Sequence, residues 1–157
     1  MPIGPKLKCD SLYLRPLTDL DVTPQYCGWL NDPLVNKYLE TRFEKQTQEK
    51  VKDFVLEKNL SINEYLYGIF KGKNQSHIGN IKLGPINSHH RLAAVSLFVG
   101  DKSAWGKGFA TFAIKTVTRF GFESLGLPKS DNSLFIKPTS KSALCIISVS
   151  LSINLRN

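Results

Sequence analysis

The sequence predicts an α+β fold, a mixed but mainly antiparallel sheet flanked by helices. Three observations carry this. Residues 65–70, 77–83 and 92–99 are apolar, strand-like runs joined by short turns, which is the order of an antiparallel meander. Residues 47–58 place Val51, Phe54 and Val55 at helical spacings of three and four. After the third meander strand, Gly106 and Gly108 lead into a second helical run over residues 110–122.

The elements follow in order. Leu12, Leu14 and Leu17 frame a first strand, ended by Arg15 and Pro16, and Thr18-Asp19 signals helix entry. Residues 21–30 read as a short helix interrupted near Pro24, Asn31-Asp32-Pro33 as a turn, and residues 33–39 as a further helical turn before a loop at Arg42 and Phe43. Thr47 opens the first long helix. Lys71-Gly72-Lys73-Asn74 reads as a hairpin turn, and Gly84-Pro85 breaks the strand that follows it. No internal repeat or linker interrupts this order.

Composition narrows the classes. The 157 residues suit one domain with a single core, and 41% hydrophobic with 22% charged residues is ordinary for a globular chain. No apolar run reaches the ~18 residues of a membrane span and no secretory signal opens the sequence, so a cytoplasmic location is expected. Cys9, Cys27 and Cys145 have neither metal nor redox spacing and are expected to be reduced thiols. The net charge of +8 allows a polyanionic partner, but the lysines are spread from Lys6 to Lys141 without a run of three. Among the histidines, His77 lies in a strand and reads as structural, His89-His90 lies in a polar loop, and no metal site is expected.

The glycine-bearing segment Trp105-Gly106-Lys107-Gly108-Phe109-Ala110-Thr111 is the most informative stretch. Glycines at a strand-to-helix junction let the backbone turn sharply and bring helix N-terminal amides close to an anion. Lys107 would add a full charge there. The P-loop pattern fails, because Lys107 is followed by Gly108 and Phe109 rather than by a hydroxyl residue. The dinucleotide fingerprint is a weak match: Asp131 is near the distance of its acidic partner, but Thr111 stands where a third small residue is needed and the preceding strands read as a meander.

This segment resembles the acetyl-CoA pyrophosphate loop of the GNAT N-acetyltransferase superfamily, whose pattern is Arg/Gln-x-x-Gly-x-Gly/Ala. Trp105 stands at the Arg/Gln position, Gly108 is the glycine and Ala110 the closing small residue. The resemblance runs over about residues 12–127, through Leu-Tyr-Leu-Arg-Pro-Leu (12–17), Trp-Leu-Asn-Asp-Pro (29–33) and His-Ile-Gly-Asn-Ile-Lys-Leu (77–83). It is closest to the branch of ribosomal-protein alanine acetyltransferases and nucleotide-linked amino-sugar acetyltransferases. It implies acetyl-CoA as co-substrate and a primary amine as acceptor. It also implies that the backbone of Leu97, Phe98 and Val99 pairs with the pantetheine arm, that residues 105–111 hold the pyrophosphate, and that Trp29, Asn31, Tyr38 and Arg42 shape the acceptor pocket. No catalytic residue is assigned.

The sequence departs from that family in three places. Ala94 stands where the strand before the loop often carries an acid, and Phe112 where a glutamate is usual. Beyond Gly126-Leu127 the chain continues as a serine-rich segment without the family pattern, and no tyrosine follows Tyr67 to serve as the usual thiolate-protonating residue. A reading-frame change or truncation near residue 128 is expected to account for this. Within that segment, alternation from Cys145 to Ile153 predicts an edge strand. The expectation is therefore a GNAT-like acetyl-CoA-binding domain over 1–127, an incomplete C-terminal half, and an atypical tail over 128–157. Two alternatives stand beside an active N-acetyltransferase. One is a non-catalytic CoA-binding or inactive remnant; the other is a basic nucleic-acid-binding module, the less favoured of the partners.

Overall fold

The computed structural model describes residues 4–9, 11–37, 39–90, 92–127 and 144–147. Tyr38 and most of the tail, residues 128–143 and 148–157, lie outside the described residues. The strands are β1 (Leu7–Cys9), β2 (Leu12–Pro16), β3 (Tyr65–Lys71), β4 (Ser76–Asn87), β5 (Leu92–Val99) and β6 (Leu144–Ile147), hydrogen-bonded in that order into one sheet. Every neighbouring pair is antiparallel. The helices are α1 (Pro24–Asn31), α2 (Pro33–Asn36), α3 (Gln48–Leu60) and α4 (Phe109–Ser124). This is the α+β sheet flanked by helices that the meander pattern predicts.

Strand periodicity divides the core between the two faces of the sheet. Leu12, Leu14, Tyr67, Ile69, Ile81, Leu83, Val95, Leu97 and Val99 pack with Ala113, Ile114, Val117 and Phe120 of α4. Leu66, Phe70 and Phe98 face the other way, against Tyr26, Trp29 and Leu30 of α1 and Val51 and Val55 of α3. The helix α4 buries the i, i+1, i+4, i+7 set Ala113, Ile114, Val117 and Phe120, which is the stripe expected of a helix lying on a sheet.

Three local readings are corrected. Pro24 starts α1 rather than interrupting a helix: Thr23 Oγ1 accepts from Tyr26 N at 3.2 Å, and proline suits a first helical position that needs no N–H partner. Gly84-Pro85 does not end β4, because a register shift between Leu83 and Ile86 carries the strand on to Asn87. Three residues, Leu7–Cys9, add an unexpected outer strand, too short for a period to show in sequence. The Thr47 cap is as expected, with Oγ1 accepting from Lys50 N at 3.3 Å. Part of the alternating tail does form a strand: β6 pairs with β5, Leu144 opposite Phe98 and Ile147 opposite Val95.

Candidate functional site

The glycine segment is built as its composition suggests. Gly106 and Gly108 have φ of +74° and +77°, the left-handed region that L side chains avoid. Gly108 is the N-cap of α4 and supplies no side-chain cap to the first-turn amides. Space above Gly106 is open, and the Phe112 ring lies beside Gly108, 3.8 Å from where a Cβ would sit. The donor set is thus backbone amide, helix-terminal partial charge and Lys107, which fits a pyrophosphate.

Trp105 anchors this loop. Its Nε1 donates to Val99 O at 2.8 Å, and its half-buried ring packs against both cores. The loop is therefore tied to the end of β5. A 3-10 turn at Lys102–Ala104 precedes it, capped by Asp101 Oδ1, which accepts from Ser103 N at 2.9 Å. Lys102 pairs with Asp32, joining the loop to the α1–α2 junction.

Beside β5, on the face covered by α1 and α3, lies a cavity of about 320 Å³. Leu97 and Phe98 line it, as do Tyr26, Leu39, Phe54 and Leu66, and its polar lining includes Glu40, Thr41, Asn80, Lys82 and Ser96. Trp29, Asn31 and Arg42 lie outside this lining. Trp29 is buried, with its ring 5.2 Å from that of His77. Asn31 is a latch: its Oδ1 accepts from Gln46 N and its Nδ2 donates to Gln46 O, both at 2.8 Å, holding the α3 approach to α1. Arg42 donates to Leu39 O at 3.0 Å and covers the Phe43 ring. Tyr38 is outside the described residues.

The cavity residues that sequence reasoning missed are polar positions with no motif of their own. Asn80 is 3% exposed, and its Oδ1 accepts from His77 Nε2 at 2.7 Å. His77 Nε2 also donates to Gly79 O at 3.0 Å; a carbonyl only accepts, so Nε2 carries the hydrogen. The His77 ring stacks on Phe70 and meets Tyr26 and Trp29 edge-on. The structural role expected of His77 is what these contacts describe. Burial pushes the Tyr26 phenol above its ordinary value, with the Asn80 amide opposing. Burial would also raise the Glu64 carboxyl, but Lys58 at 2.7 Å and Lys82 at 2.9 Å outweigh it and hold it low. Lys82 thus enters the cavity wall with its charge paired.

Burial lowers the His77 pKa below its ordinary value, opposed by the bonds to Asn80 and Gly79. An unfolded histidine takes up a proton below about pH 6.5. The unfolded state then binds more protons, and stability falls as pH drops through that value toward the lower folded pKa. His77→Gln is expected to flatten the decline of Tm as pH drops below about 6.5. A thermal-denaturation series with an unchanged slope would assign the acid sensitivity elsewhere.

Comparison with known proteins agrees with this geometry. Residues 11–139 match the family described as acetyltransferase (GNAT) domain, extending past Leu127. The chain is 27% identical over 129 residues to the uncharacterized N-acetyltransferase YoaA of Bacillus subtilis, covering 80% of this chain and 71% of YoaA. Its fold is similar to that of a GNAT-family acetyltransferase from Bacillus anthracis, with a TM-score of 0.64 at 19% identity over 78% of this chain and 69% of the other. It is equally similar to the spermidine N-acetyltransferase of Vibrio cholerae solved with CoA and spermine, with a TM-score of 0.64 at 22% identity over 75% and 68%. The chain belongs to the GNAT acetyltransferase family of enzymes, which take acetyl-CoA as their usual co-substrate.

Proposed function

We propose that this chain binds acetyl-CoA at the α4 entrance and transfers its acetyl group to a primary amine held in the β4–β5 cavity. The observation that carries this is the uncapped start of α4, with Gly106 and Gly108 at positive φ, tied by Trp105 to the strand whose Leu97 and Phe98 line the cavity. Acetyl-CoA supplies an activated thioester acetyl group. Amides of residues 106–111 would hold its pyrophosphate, with Lys107 adding charge. The end of β5 would align its arm toward the cavity, and the apolar lining would exclude water from the amine.

The acceptor follows the branch resemblance: an amino sugar or a protein amino terminus. The curated relatives support an N-acetyltransferase and leave the amine open. Residues 1–127 would carry both sites, and residues 128–157 would contribute β6. Calorimetric titration with acetyl-CoA, followed by an assay of free thiol on adding amines, tests the reading. Saturable binding and amine-dependent thiol release are expected. A folded chain that does not bind acetyl-CoA would overturn it.

A further inference from the structure

We infer that Trp29 and Asp32 are positioning residues for the acetyl-CoA loop, bracing residues 100–102 from the end of α1. The inference rests on the acetyl-CoA reading of the α4 entrance and names what holds that entrance in place. Trp29 and Asp32 both lie outside the cavity lining. They meet instead the start of the loop, Trp29 at Gly100 and Asp32 at Lys102. The segment Trp29-Leu30-Asn31-Asp32-Pro33 thus serves the cofactor side of the reaction.

The Trp29 ring lies on the backbone of Gly100. A Cβ at Gly100 would sit 2.1 Å from Trp29 Cδ2, 2.3 Å from Cγ and 2.5 Å from Cε3, so only a hydrogen fits there. Gly100 is not among the glycines with positive φ, so close approach rather than backbone conformation demands it. Neither partner has room to retreat. On one side Ile78 O accepts from Gly100 N at 2.8 Å and from Asp101 N at 3.1 Å. On the other the buried Trp29 ring meets those of His77 and Tyr26 at 5.2 and 6.3 Å. Two residues on, the Lys102 ammonium pairs with Asp32, itself fixed at the start of α2 by accepting from Leu34 N at 2.9 Å. Gly100 follows Val99, whose carbonyl holds Trp105 Nε1 at 2.8 Å, and Trp105 precedes Gly106. Close-packed groups transmit displacement, so moving Gly100 moves the start of the glycine segment.

Calorimetric titration with acetyl-CoA, well below each Tm, tests the brace. Gly100→Ala is expected to raise the Kd at least about tenfold. Trp29→Leu vacates the space the new methyl needs. The double variant Trp29→Leu/Gly100→Ala should therefore bind within about threefold of Trp29→Leu alone. Asp32→Asn keeps a cap for α2 but removes the ion pair, and is expected to raise the Kd about two- to fivefold. Its sign is diagnostic. Deleting a negative charge near a site for a polyanion would tighten binding by Coulomb attraction alone, so weakening reports lost positioning. This half-exposed change also decides the matter if Gly100→Ala does not fold. Val55→Ala, a core truncation in α3, is expected to lower Tm and leave the Kd unchanged. An unchanged Kd in folded Gly100→Ala overturns the inference, as does unchanged or tighter binding by Asp32→Asn. Equal weakening by Val55→Ala also overturns it, by making the effect one of general stability. Failure of the folded wild-type chain to bind acetyl-CoA would instead strike the acetyl-transfer reading beneath.

Discussion

Gly108→Trp is expected to abolish acetyl-CoA binding while the chain stays folded. Gly108 caps α4 at φ +77°, where an L residue costs about 1–2 kcal/mol. That strain alone would weaken the loop. The larger effect is steric, because an indole at the helix entrance would cover the amides that approach the pyrophosphate. Displacing a phosphate by its own diameter removes its hydrogen bonds outright, and losing two charge-assisted bonds at about 1.5–3 kcal/mol each weakens affinity at least about 100-fold. Calorimetry measures the loss, and thermal denaturation separates it from unfolding: Gly108 is exposed, with only Phe112 beside it, so Tm should fall by only a few degrees. Retained affinity in the variant would remove the glycine loop from the site.

Replacing Cys145 and Ile146 together by proline is expected to tighten acetyl-CoA binding. In the structure β6 pairs with β5, Cys145 opposite Leu97 and Leu144 opposite Phe98, and the pantetheine arm is proposed to pair with that same backbone. One strand edge serves one partner at a time. Successive N–H groups of a strand point to opposite edges, so two adjacent prolines remove a β5-facing donor in either phase. A net hydrogen bond contributes about 1 kcal/mol, and freeing a competent state raises apparent affinity by the fraction it had lost. The expected gain in affinity is about five- to tenfold. Weaker binding would mean instead that β6 forms a wall of the cofactor groove and that the two share the edge without competing.

How much of this was legible in sequence differs between fold and site. The meander was readable because strand alternation and turn residues act over a few neighbours: Leu92–Val99 forms as its pattern indicates, and Thr47 caps α3. The helix entrance was readable for the same reason, since positive φ at Gly106 and Gly108 is a local demand. Pro24 was misread because proline can break a helix or begin one, and the choice depends on the Thr23 cap that precedes it. The acceptor region was harder. Asn31 has the look of a pocket residue in sequence, yet it spends its amide on Gln46, fifteen positions away.

By itself the sequence determined the α+β order, the strand-to-helix glycine junction and the family to which these belong. All three rest on short-range backbone preferences and on apolar periodicity, which a chain expresses wherever it folds. Only the tertiary structure decided the cavity and what covers its edge. Thr41, Asn80 and Phe98 meet because α1, α3 and the sheet pack around one space, and nothing local to any of them encodes the other two. The pairing of β6 with β5 was decided there as well, because which edge a strand joins depends on which edge the rest of the sheet leaves open.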